Sequence, residues 1–275
     1  MQLSSRFGRN STSIRSKFPL DDEQIMRVAP SIFAEDKHTS RSDRYTYIPT
    51  GHVLAKLRQE GFSPFMVCQS KCRDEGKRAH TKHMVRLRHA SQINSREANE
   101  IILLNSHDGT SSWQLLNGVF RDACSNGLVW GDVVNDIRIR HKGDIVHDVI
   151  EGAFRVVDDF EQVREQMDGM KALTLNQGEQ NAFANAALAL RYDTEAAPAP
   201  VTESQLLRVK RSEDRSSDLW TTFNRVQENL VQGGLRGRTA TGQIRTTRQI
   251  TGIDQGIKLN RALWLLSEEM RKLKA

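Results

Sequence analysis

IILLNSHDGTSSWQLLNGVFRDACSNGL at residues 101–128, followed by IRIRHKGDIVHDVIEGAFRVV at 137–157, is the stretch whose reading decides the fold. Ile101–Leu104 is an apolar run. Asp108-Gly109 is a type I′ turn signal that sends the chain back through Trp113–Leu116 as a hairpin. Phe120–Cys124 predicts a short helix, ended at Asn126-Gly127, residues that tolerate a left-handed cap. After Gly143 the apolar residues Ile145, Val149, Ala153, Val156, Phe160, Val163 and Met167 recur at intervals of four and three. That period predicts one helix over 144–170 lying on a sheet, with Asp144 as its N-cap.

Working outward, 65–72 and 80–88 read as two strands joined by the polar turn Asp74–Lys77. In the second, His83, Val85 and Leu87 alternate with Lys82, Met84, Arg86 and Arg88. A period of two predicts that the first set faces a core and the second forms an outward, largely basic face. Ile137-Arg138-Ile139-Arg140 repeats the device. Tyr45–Ile48 reads as an edge strand, and Thr50 as the cap of a helix carrying Val53, Leu54 and Leu57 and stopping at Gly61. A short helix over 21–28 ends before Pro30.

These signals predict an α+β fold: an antiparallel sheet of five or six strands over 45–140, with the 144–170 helix on one face. Residues 1–20, rich in Ser, Arg and Asn, read as a mobile basic arm, and 21–192 as the core domain. Residues 193–215, with AAPAPVTES at 196–204, read as a linker. A basic helical module follows over 216–275, with apolar stripes through Leu219, Phe223, Val226 and Leu230 and through Leu259, Ala262, Leu266, Met270 and Leu273.

The 275 residues can bury one good core or a core with a smaller module. No apolar run approaches a membrane span, and Met1–Asn10 lacks the apolar stretch of a signal peptide, so a cytoplasmic protein is expected. Three cysteines, an odd number, argue against a disulfide framework. The net charge of +6 and isoelectric point near 9.4 point to a polyanionic partner. That charge is concentrated: Lys71, Arg73, Lys77, Arg78, Lys82, Arg86 and Arg88 stand against only Asp74 and Glu75 over 71–89.

SHDG at 106–109, FRDACSNGL at 120–128 and HKGDIVHDVIEGAF at 141–154 resemble the family called domain of unknown function 932. EDKHTSRSDRYTYIPT near the start, and GGLRGRTATG, TTRQITGID and LNRALW near the end, extend the resemblance over nearly all of the chain. The family's name carries no activity. The resemblance implies a setting in phages, plasmids and other mobile elements.

Two segments carry the strongest chemistry. The basic strands offer Lys71, Arg73, Lys77, Arg78, Lys82, Arg86 and Arg88, joined by Arg138 and Arg140, to a phosphate backbone. GGLRGRTATGQIRTTR at 233–248 adds Arg236, Arg238, Arg245 and Arg248 with no acidic residue. There glycine allows close backbone approach and arginine offers a bidentate fork. It lacks the phosphate-loop pattern of nucleotide-binding proteins.

The histidines His80, His83, His89, His107, His141 and His147 with Asp108 show no metal-ligand spacing, and no metal or other cofactor is expected. Cys68 and Cys72 share a strand face, and with Cys124 they read as small hydrophobes. Tyr45, Tyr47, Trp113, Trp130 and Phe7 are the aromatics available to stack on bases.

The reading is a non-enzymatic protein that binds nucleic acid, single-stranded DNA above all, as a homo-oligomer and away from membranes. Strands followed by a long helix, with a basic sheet edge, are broadly similar to the single-strand annealing proteins of phages and plasmids, an analogy of fold alone. Two alternatives stand beside it. One is a metal-dependent nuclease using His107 and Asp108; the other is an interaction or inhibitor module with an acidic protein partner.

Overall fold

The computed structural model of the chain describes residues 11–36, 47, 49–72, 74–90, 97–121, 124–129, 137–139 and 144–274. The fold is α+β, built on an antiparallel seven-stranded sheet, and its residues group into two compact units.

The first unit takes in residues up to Arg121, 131–160 and 251–253, and holds six strands of the sheet. These are β1 (Ser11–Arg15), β2 (Phe62–Ser70), β3 (His83–His89), β4 (Glu97–Asn105), β5 (Trp113–Arg121) and β7 (Ile137–Ile139). The first five pair in sequence order, and β7 pairs the far edge of β5 through Leu115↔Ile137 and Trp113↔Ile139. On one face, Val67, Val85, Leu87, Ile101, Leu103, Trp113 and Leu115 pack against α2 (Thr50–Gln59) and α3 (Ile145–Asp158). The side chains meeting them there are Val53, Leu54 and Leu57, and Ile145, Val149, Ala153 and Val156. The helix-bearing face is the one that the alternation in β3 and the four-three spacing of 145–156 both predict.

Several local readings need correction. Ser11–Arg15, placed in a mobile arm, pairs with Met66–Ser70 as β1, and Arg15 is buried. Of Tyr45–Ile48 only Tyr47 is among the described residues, and it is not in a strand. The β4–β5 connection is longer than a two-residue type I′ turn. A type I′ turn needs positive φ at both central residues; Gly109 has φ +77°, but among the described residues no non-glycine does. Asp108 instead accepts from the Thr110 N–H (3.0 Å) and hydroxyl (2.6 Å). Phe120 and Arg121 continue β5 instead of opening a helix, because Ala98 and Glu97 of β4 still pair with them. Cys124–Val129 is strand β6.

The predicted 144–170 helix is interrupted. Asp144 caps α3 through the His147 N–H (3.2 Å), and the helix ends at Asp158. Asp159 accepts from Asn117 Nδ2 (3.2 Å) before α4 (Phe160–Ala172) begins. α1 (Asp22–Val28) starts with a reciprocal capping box between Asp21 and Gln24.

The second unit takes in 122–130, 161–250 and 254–275. It holds β6, most of α4, then α5 (Gln177–Arg191), α6 (Glu203–Leu206), α7 (Leu219–Gln232), the hairpin of β8 (Arg236–Arg238) and β9 (Ile244–Thr246), and α8 (Ile253–Lys274). The stripe Leu219, Phe223, Val226 and Leu230 is buried as predicted, yet α7 is buried on every side from Leu219 to Val231. Several of its polar side chains have hydrogen-bond or ionic partners. Asn229 Nδ2 donates to Leu206 O (2.8 Å), Gln227 Nε2 to Asn260 Oδ1 (2.9 Å), and Arg211 pairs with Glu228 (2.8 Å). Among the described residues no helix is long and apolar enough to cross a membrane.

Gly152 sets how closely α3 approaches the sheet, because a Cβ there would lie 2.6 Å from Leu115 Cδ1 and 3.3 Å from Ile137 Cγ2. Gly152→Val is therefore expected to lower stability by about 1–3 kcal/mol through overpacking. Urea denaturation checks this, and an unchanged midpoint would show that the α3–β5 packing yields easily.

Candidate nucleic-acid interface

The basic strand face is not outward. Arg86 and Arg88 of β3 are each only 3 % exposed, and Arg15 of β1 is 4 % exposed. All three lie around Glu100 of β4, itself buried. Glu100 accepts from Arg86 Nε and, at 2.8 Å, from Arg88 Nε. The register explains the meeting: Leu87 pairs with Ile101, so the following Arg88 and the preceding Glu100 stand side by side. Gly118 provides room for Arg86, since a Cβ there would lie 2.8 Å from Arg86 Nη2. Arg88 also lies over the Phe65 ring, 4.4 Å from its centroid, and Arg15 Nη2 sits 3.2 Å from Met66 Sδ.

Burial pushes the Glu100 carboxyl upward, but Arg86, Arg88 and Arg15 outweigh it and hold the group below its ordinary value. In the same environment burial raises the Cys68 thiol to about 12, so it is no nucleophile. Alternation identified which side chains share a face. It could not show that the face is buried, because the carboxylate that pairs with the arginines comes from the next strand.

Of the other basic residues read from this region, Lys71, Lys77, Arg78 and Arg138 are exposed and Lys82 is half-buried. Arg73 and Arg140 lie outside the described residues. Arg138 points away from the core as predicted, while Ile139 is buried.

The histidine set resolves into a buried polar cluster. Thr50 does not cap α2; Pro49 occupies that position, and the Thr50 hydroxyl turns inward. It meets His83 Nε2 at 2.8 Å, Asn105 Nδ2 at 3.1 Å and His107 Nε2 at 3.3 Å. One assignment satisfies this hydroxyl: it donates to His83 Nε2 and accepts from Asn105 and His107. His83 then carries its proton on Nδ1, facing Ser31 Oγ (2.9 Å) and Thr81 O (3.2 Å). Burial pushes the His83 pKa down to about 4, against an upward pull from the Thr81 carbonyl.

His107 is fully buried, and no group of three or more metal-ligating side chains that could hold an ion occurs among the described residues. Burial raises the Asp108 carboxyl, but bonds from Thr110 and Ser106 bring it below its usual value. His83 and His107 do come together, but through a threonine, and as part of the interior. His141 and Trp130 lie outside the described residues, and Trp113 is fully buried in the core.

The 233–248 segment is the exposed arginine surface. It folds into the β8–β9 hairpin, with Arg236↔Thr246, Gly237↔Arg245 and Arg238↔Ile244 in register. Arg236, Arg238, Arg245 and Arg248 are all exposed. Their side-chain bonds go to neutral oxygens, Arg238 to Gly242 O (3.4 Å) and Arg245 to Gln243 Oε1 (3.3 Å). Among the described residues none of the four forms an ion pair.

The hairpin is held at its base. Gly233 caps α7, Thr247 N donates to Leu235 O (2.8 Å), and Arg191 donates to Arg248 O. Pro200 O accepts from Arg238 N (2.9 Å), and Gln205 Nε2 donates to Arg236 O (2.8 Å). Gly237 allows that closeness, because a Cβ there would lie 1.9 Å from Pro200 O. The glycines do not offer free N–H groups to phosphate. Those of Gly233, Gly234 and Gly242 donate to Asn229 O, Thr247 O and Thr239 O.

Two further exposed cations lie in the stretch read as linker. Arg208 and Lys210 are exposed, and Lys210 Nζ lies 3.5 Å from Gln232 Oε1 at the end of α7. Partial burial, then Arg211 and Arg208, lower the Lys210 amine against the pull of Glu228. The signal was the run Arg208-Val209-Lys210-Arg211.

The family described as "Domain of unknown function (DUF932)" matches residues 37–264. The chain is 53 % identical over 269 residues to the UPF0380 protein YafZ of Escherichia coli K12, covering 98 % of this chain and 97 % of that protein. It is similar to the same degree and extent to the UPF0380 protein YfjQ of the same organism. No solved structure matches.

Glu100→Gln leaves the buried arginines without their shared carboxylate and is expected to cost about 3–5 kcal/mol in urea denaturation. A loss below 1 kcal/mol would mean that the arginines are neutralised elsewhere.

For His83, the unfolded imidazole takes up its proton near pH 6.5 and the folded one only near 4. The unfolded state therefore binds more protons between those values. Stability should fall by about 3 kcal/mol as pH drops from 6.5 to 4, then level off for this group. The depressed Glu100 carboxyl, whose ordinary value is 4.5, adds a further loss below that pH. In His83→Gln the slope between pH 6.5 and 4 should flatten. An unchanged slope would assign the acid sensitivity to other groups.

Proposed function

This chain belongs to the family described as domain of unknown function 932, and from that premise we propose that it binds nucleic acid through the β8–β9 arginine hairpin, with single-stranded DNA as the favoured form. The observation that carries the proposal is the hairpin: four exposed arginines, no acidic residue over 233–248, and a base bonded to α7 and to Pro200. Folding leaves these guanidiniums in water with no carboxylate, which suits them to displace counterions from phosphates. Arg236 and Arg238 share one face of the hairpin, and Arg245 leaves the other beside Gly237. A flexible strand can bend to reach both faces, whereas a duplex, stiff over about 150 base pairs, lies along one. An assembly of several copies would lengthen this positive surface.

Arg86 and Arg88 drop out of the proposed binding set, because they are buried against Glu100. Lys71, Lys77 and Arg78 remain as a separate exposed basic loop. The nuclease reading has less support, since His107 is fully buried and Asp108 is engaged by its own turn.

Fluorescence anisotropy of labelled single-stranded and duplex oligonucleotides, titrated with nucleic-acid-free protein at several salt concentrations, tests the proposal. Arg236→Ala/Arg238→Ala should weaken binding and lower the salt slope by about 0.7 for each phosphate that a single strand no longer has neutralised. Binding of neither polymer at low salt overturns the proposal and leaves an acidic protein as the partner for the hairpin. Cleavage that a chelator stops would favour the nuclease.

A further inference from the structure

One residue of the hairpin does not fit a purely electrostatic surface. Ile244 is 51 % exposed at the start of β9, directly opposite Arg238. Cross-strand partners point to the same side of a hairpin, and residues two apart on a strand do also. Ile244 therefore shares its face with Arg236 and Arg238. It is not among the buried core residues, and the hairpin is bonded to the rest of the unit through Pro200, Gln205, Arg191 and the end of α7. The nearby tip is closed by Thr239 N donating to Gln243 O (2.9 Å), which holds the start of β9 in place.

We propose that Ile244 is an apolar wedge that touches bases while Arg236 and Arg238 hold the flanking phosphates. This inference rests on the nucleic-acid reading of the hairpin and deepens it from phosphate binding to base binding. An aliphatic side chain flanked by cations is the arrangement that unstacks a base step: the arginines fix the backbone, and burying the branched side chain between bases offsets the lost stacking. The described tryptophans cannot take this role, since Trp113, Trp220 and Trp264 are all buried. Charge complementarity selects the occupant: an apolar side chain between guanidiniums faces a ligand carrying both apolar surface and negative charge. An aliphatic wedge also lacks hydrogen-bonding groups, so base binding through Ile244 carries little sequence preference.

The experiment uses the full chain and a single-stranded oligonucleotide containing 2-aminopurine, whose fluorescence rises when the base is unstacked. With the unsubstituted chain, binding should raise the fluorescence. Ile244→Ala should abolish most of that rise and weaken binding about tenfold, with an unchanged salt slope. Ile244→Leu should retain both. Because the side chain is half in water, the thermal midpoint of Ile244→Ala should match that of the parent, which separates a missing wedge from a damaged fold.

If Ile244→Ala binds and unstacks as the parent does, the wedge is overturned and the phosphate reading stands. If the parent binds with no fluorescence rise, the wedge is likewise overturned. No binding by the parent at low salt overturns both readings.

Discussion

A buried carboxylate draws together three strands of the first unit. Glu100 stands buried among Arg15, Arg86 and Arg88, contributed by β1 and β3 around its own strand β4. A charge moved from water into a protein interior costs several kcal/mol, and a buried ion pair is maintained only where geometry and hydrogen bonds recover that loss. Here the recovery is specific to register. Sliding β3 by one residue against β4 would carry the arginines to the other face and set His83, Val85 and Leu87 against the wrong side. The ionic cluster and the apolar core thus demand the same alignment from opposite faces of one strand.

That alignment reaches further along β3. His83 begins the strand, and its ring meets Ser31 and, with His107 and Asn105, converges on Thr50 at the start of α2. A threonine in the first turn of a helix ordinarily serves its own backbone. Here its hydroxyl ties the helix to the ends of β3 and β4, so the helix is placed by a polar bond as well as by Val53, Leu54 and Leu57. β3 therefore carries an interior polar network at one end and an interior ion cluster at the other, and both need every partner present.

Periodicity made the scaffold readable. The four-three spacing of Ile145, Val149, Ala153 and Val156, and the alternation of His83, Val85 and Leu87, each identified a buried face that the structure contains. Complementary burial was not readable. Arg86 and Arg88 alternate with apolar residues as solvent-facing residues do, and nothing within 82–88 reveals that Glu100 pairs with them from the neighbouring strand. Phe120–Cys124 resembled a helix because local propensity was weighed without the edge of β4 that captures Phe120 and Arg121. The arginines of the Gly/Arg segment are exposed, and the N–H groups of Gly233, Gly234 and Gly242 close turns, which residue type alone does not reveal. Ile244 went unremarked because one isoleucine in a polar run has no period.

The chain's arginines thus divide by the work that folding asks of them. Those of β1 and β3 are fixed by burial around Glu100, and removing that carboxylate leaves buried cations without it. Those of β8 and β9 have no carboxylate among the described residues and touch only neutral oxygens, so the interior gains almost nothing from their charge. A surface guanidinium also costs solubility little, and one or two of them call for no explanation. Four within sixteen residues, on a hairpin whose base is bonded to a buried helix and to Pro200 and Gln205, are another matter. Fixing the backbone beneath such side chains lowers the entropy lost when they engage an anion. The hairpin keeps its arginines in water above a hydrogen-bonded base, while the more basic stretch at 71–89 commits two of its arginines to a buried ion cluster.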